Sequence, residues 1–131
     1  MSFKEIKKYG GSTNGKNYFS FYIDIYRTDI DVCIGDEELF KYNFPEVEIK
    51  KGEDYGAITT EHKGRIGVLF KDKKQVSFSN INHEIVHLVD FVYENIGAIH
   101  QIDNPEPTAY LSGYIAGEIS KGLKDLKIKI K

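Results

Sequence analysis

Two imidazoles and a carboxylate stand close together in SNINHEIVHLVDFVYEN, residues 79–95. His83, Glu84 and His87 form an H-E-x-x-H motif. On a helix, residues four apart share a face, so both imidazoles can reach one ion. Glu84 then lies beside that ion without having to ligate it. This is an arrangement for holding Zn2+ next to a general base, and the chemistry it suggests is hydrolysis by a metal-activated water.

Those residues need a helix to position them, and the segment supplies one independently of the motif. Ile81, Ile85, Leu88, Val89, Val92 and Ile96 recur at the helical period and form one apolar stripe. At about 100° per residue, His83, His87, Asp90 and Glu94 fall together on the opposite side. Phe91 and Tyr93 flank that strip, so the spacing predicts a buried helix with one ionisable strip facing a cleft. Ser79 or Asn80 can cap its start, and Gly97 can stop it. Three fixed residues recur by chance, and two ordinary surface histidines are the bland explanation. The placement opposite the core stripe argues for the metal.

The 131 residues suffice for one domain with a modest core. Apolar residues make up 40 % of the chain, enough for a globular fold. A net charge of −2 calls for no nucleic-acid partner. The start, MSFKEIKKYG, has no apolar signal core, and no apolar run is long enough to span a membrane. Cys33 is the one cysteine, which excludes an intrachain disulfide and a cysteine zinc cluster. These features fit a cytoplasmic protein; secretion by a route without a signal is compatible with them too.

Residues 1–16 read as an N-terminal arm and loop. Tyr18 to Tyr26 is aromatic and β-branched and predicts a strand, with Asp29 to Ile34 as its hairpin partner. Asp36 to Phe44 fits a short helix or an irregular segment, and Glu46 to Lys50 another short strand. Tyr55 to His62 and Arg65 to Lys71 predict a hairpin turning at Lys63-Gly64. Gln75 to Phe78 reads as a short extended entry to the long helix. A second helix is expected over Asn104 to Ser120, with Asn104 as N-cap and Pro105 in its first position. Residues 121–131 read as a basic solvated tail, or less simply as a terminal strand or docking arm. The expected architecture is a single α+β domain, with a twisted, mostly antiparallel sheet packed on the motif helix and a second C-terminal helix.

A catalytic zinc takes a third protein ligand and leaves the fourth position open. The longer pattern H-E-x-x-H-x-x-G-x-x-H fails, because Asp90 and Tyr93 stand at its glycine and last histidine positions. Glu106 is the first candidate. It opens the second helix, and two antiparallel helices joined by a short loop can bring it back over His87. His100, Asp103 and Glu118 are rivals, the last of them three turns further along. Glu106 also suits the positive end of the helix dipole with no metal at all. Asp90, one turn after His87, can hold a ligand histidine by its other ring nitrogen. Tyr110 and Tyr114 suit core packing; alternatively one of them donates its phenol to a developing oxyanion.

The run HEIVHLVDFVYENIGAIHQIDNPEPTAYLSGYI resembles a family of small zincin-like predicted metallopeptidases, often encoded by bacteriophages and mobile elements. Its members follow H-E-x-x-H with an acidic residue three positions on, a helix ending in I-G, and a segment like N-E-P-x-A-Y-L-x-G-Y. Here that segment runs from Asn104 to Tyr114, with Pro105 as an extra residue between Asn and Glu. Residues 57–60 and 67–70 are similar to the family's strands, so the likeness covers about the last two-thirds of the chain. More distantly the run is similar to regulatory peptidases of mobile elements that cleave repressors. The resemblance implies a minimal zincin-like domain, zinc ligands His83, His87 and Glu106, and Glu84 as base. It implies no substrate. For a phage-encoded member the compartment would be the host cytoplasm.

The expected activity is zinc-dependent hydrolysis of peptide bonds in a protein or peptide substrate. An extended substrate would pair with a strand beside the cleft, Gly67 to Phe70 or Gln75 to Phe78. The alternative is a non-catalytic binding or regulatory protein of zincin-like fold, with a structural zinc and the basic tail as docking element.

Overall fold

The computed structural model describes residues 17–49 and 55–131; the expected arm over residues 1–16 lies outside them. The aromatic and β-branched run forms β1, Tyr18–Ile23, shorter than its sequence suggests. A 3-10 turn, Asp24–Tyr26, leads into β2, Thr28–Ile34. The two strands pair antiparallel, from Tyr18 opposite Cys33 to Ile23 opposite Thr28.

A short helix, α1, covers Glu37–Asn43, and the Asp36 carboxylate accepts from the Leu39 N–H at 3.1 Å. Residues 46–49 form no strand, and Lys50 lies outside the described residues. β3, Ala57–His62, and β4, Arg65–Phe70, pair antiparallel. Lys63 and Gly64 between them have φ of 50° and 82°, as a two-residue hairpin turn requires.

The sheet runs β1-β2-β4-β3. β2 and β4 are parallel, so the sheet is mixed, with its one parallel pair at the centre. Local hairpin signals do not reveal that pairing, because the chain returns to β2 only after α1 and β3. Both outer pairs are antiparallel, as expected. One consequence is a correction: Gly67 to Phe70 lies in a central strand and cannot receive a substrate strand. The edge on that side is β3.

Gln75 ends a 3-10 turn, and Val76 and the extended Ser77 after it belong to no strand of the sheet, which removes Gln75 to Phe78 as the other expected substrate strand. Ser77, not Ser79 or Asn80, caps the motif helix α2, Phe78–Ile96, its Oγ accepting from the Asn80 N–H at 3.1 Å. Gly97, at φ 72°, ends it; the Ala98 N–H reaches back to the Tyr93 carbonyl at 2.8 Å. The last helix, α3, covers Glu106–Asp125 with Pro105 as its N-cap, one residue later than expected.

Strand alternation divides the core in two. Ile30, Val32 and Ile34 of β2 and Ile66, Val68 and Phe70 of β4 face α2 and α3. On the other face Tyr18, Cys33 and Leu69 pack with Phe40 and Phe44 of α1 and its end. Gly67 has no side chain because the Phe44 ring occupies the space its Cβ would take. The C-terminal segment is not a solvated tail. Helix α3 continues to Asp125, Ile128 is buried in the main core, and Lys131 donates its N–H to the Val76 carbonyl at 2.8 Å. No helix among the described residues is long and apolar enough to cross a membrane.

Candidate functional site

The apolar stripe of α2 seats on the sheet as its period demands; Ile81, Ile85, Leu88, Val89 and Val92 are buried, while Ile96 at the end is exposed. The opposite strip therefore faces outward. His83, His87, Asp90 and Glu94 are all exposed, so the strip opens to solvent rather than into a cleft.

His83 and His87 face each other across one helical turn. Their Nε2 atoms are 3.3 Å apart, with ring planes at 65°. Two nitrogens on a tetrahedral zinc, each about 2.0–2.1 Å from the ion, stand about 3.4 Å apart. The imidazole pair fits one ion in donor chemistry and in separation. Glu84 differs from the two exposed histidines by being only 5 % exposed. A buried carboxylate is costly unless hydrogen-bonded. The Thr59 hydroxyl of β3 donates to its Oε1 at 2.9 Å, and Oε2 lies 3.8 Å from His83 Nε2. The motif's three side chains are thus together, with the carboxylate pinned to the edge strand.

The remaining candidates are not brought to this point. Glu106 opens α3 as an exposed side chain. Among the described residues no three His, Cys, Asp or Glu side chains gather as a metal site. Asp90 forms no hydrogen bond to either ring, whose bonded partner is the other imidazole. His100 bonds through Nδ1 to Thr108 Oγ1 at 2.7 Å, and Tyr93 shares that hydroxyl at 2.8 Å, so this histidine is engaged in joining the α2–α3 loop to both helices. Asp103 is exposed in that loop. Glu118 accepts from the Tyr114 phenol at 3.1 Å and pairs with Lys121 at 3.4 Å.

Tyr110 is 75 % exposed and lines a separate cleft of about 710 Å³ with Ile23, Ile25, Tyr26 and Pro107. That cleft lies beyond the end of β1, on the opposite edge of the sheet from β3, and neither histidine lines it.

No protein-family model, curated protein or solved structure matches the chain. What bears on function is therefore the motif's own geometry. The residue that sequence reasoning missed is Thr59. Its signal was a hydroxyl in the row Ala57, Thr59, Glu61, which pairs with the helix-facing residues of β4.

Proposed function

We propose that the chain is a zinc-dependent peptidase of the small zincin-like type. The observation that carries this reading is the pair of facing imidazole nitrogens 3.3 Å apart, with the Glu84 carboxylate beside them. His83 and His87 would hold the ion through their facing ring nitrogens, and Glu106 at the start of α3, not gathered with them here, is the proposed third protein ligand. A bound zinc supplies a Lewis acid that polarises the scissile carbonyl and brings the pKa of water to about 7. Glu84 accepts a proton at Oε2 and passes it to the leaving amine, a role that typically contributes about 10²–10⁴-fold. An extended peptide would add to the outer edge of β3, which pairs with no further strand among the described residues, and the strand's backbone would align it beside Glu84.

A second reading, a non-catalytic zincin-like binding or regulatory protein, is favoured by the exposure of both histidines and by the lack of a gathered third ligand among the described residues.

The test is metal content. Protein purified without a histidine tag should carry about one zinc per chain. His83→Ala, His87→Ala and Glu106→Ala should each lose it, while Glu118→Ala keeps it. Retention by Glu106→Ala with loss in His100→Ala or Asp103→Ala would move the third ligand to the loop. Near-zero zinc that titration cannot restore would end the proposal.

A further inference from the structure

We propose that Thr59 is the positioning residue for Glu84, an inference that rests on the peptidase reading. Thr59 lies mid-way along β3, opposite Val68 of β4, on the row that faces α2. Its hydroxyl has one proton to give and gives it to Glu84 Oε1 at 2.9 Å. The terminal torsion of a glutamate is broad and roughly two-fold, so an unheld carboxylate does not choose between its oxygens. The bond makes that choice. Oε1 is occupied by the strand, and Oε2 is left on the side of the histidine pair, 3.8 Å from His83 Nε2.

The donor is itself well held. Threonine is β-branched and stiff at χ1, and its backbone is fixed in the ladder with β4. An apolar side chain at this position would leave a buried carboxylate oxygen without its partner. Because β3 is also the edge strand, a peptide added to it lies against the same strand that aims the base. Alignment of the substrate and orientation of the carboxylate then share one element.

Two variants separate this role from simple packing. Thr59→Val keeps the shape and removes the hydroxyl; Thr59→Ser keeps the hydroxyl and removes a methyl. The first readout is the Glu84 side-chain carboxyl 13C signal in metal-free protein, assigned by its loss in Glu84→Gln. It should move in Thr59→Val and hold near its wild-type position in Thr59→Ser. The second is turnover of a proteome-derived peptide mixture by zinc-loaded protein. Thr59→Val should lose about 10–100-fold in kcat with KM and zinc content unchanged, and Thr59→Ser should recover most of it. If wild type cleaves and Thr59→Val cleaves equally well, Thr59 is only structural and the peptidase reading stands. An unmoved carboxyl signal in Thr59→Val also overturns the positioning role. If wild type cleaves nothing while the signal still responds, the peptidase reading falls and takes the role with it.

Discussion

Glu84 and the histidines around it occupy opposite environments one residue apart. The imidazoles stand in solvent, bonded to each other; the carboxylate is sheltered and held by Thr59. A second buried reactive group shows what burial alone does. Cys33 is fully buried, its thiol donates to the Asp36 carbonyl at 3.3 Å, and burial pushes its pKa from 9.0 up to about 12. The Tyr18 phenol is raised in the same direction by burial and by Asp31, to which it donates at 2.9 Å. A raised folded-state pKa means that the unfolded chain releases the proton first. The stabilisation is complete below the thiol's ordinary range and is lost as pH climbs toward 12. Cys33 should therefore resist iodoacetamide at pH 8 in native protein. Urea unfolding should give a stability that declines above pH 9, and a rise over that range would contradict the burial assigned to these groups.

Helix α1 and strand β4 meet through the absence of a side chain. The Phe40 and Phe44 rings stack with centroids 4.8 Å apart, and the Phe44 ring lies over the Gly67 backbone. Gly67→Ala should cost about 1–3 kcal/mol through overpacking, read as a lower midpoint in urea with an unchanged slope. An unchanged midpoint would mean that α1 can shift freely. This contact shows where sequence reading runs out. Periodicity reveals α2, both hairpins and the apolar stripe, because each signal lies within a few residues. Nothing local to Gly67 names Phe44, and nothing local to β2 names its parallel partner. The same holds at the site. His83, Glu84 and His87 are legible as a spacing, whereas Thr59 is 25 residues away and meets Glu84 only once β3 has become the sheet's edge.

At the scale of the whole molecule the two sheet edges carry different surfaces. The β3 edge holds the motif's carboxylate, and the end of β1 holds an apolar cleft shared with α3. The C-terminal segment closes the core rather than leaving it: Ile128 is buried and Lys131 pairs with the residue that precedes the cap of α2. The fold thus fixes the helix that presents the imidazoles and the strand that holds the Glu84 carboxylate. In the proposed reaction Glu84 takes a proton. An amide in its place can still accept the Thr59 hydroxyl, but it cannot accept a proton as a carboxylate does. The direct measurement compares newly formed peptide N-termini in cells expressing wild type or Glu84→Gln, with zinc content and fold verified for both. Wild type should generate cleavage products that Glu84→Gln forms at least about 100-fold more slowly, while both proteins stay folded and zinc-loaded. The same peptides and the same biological effect from both would contradict peptidase action.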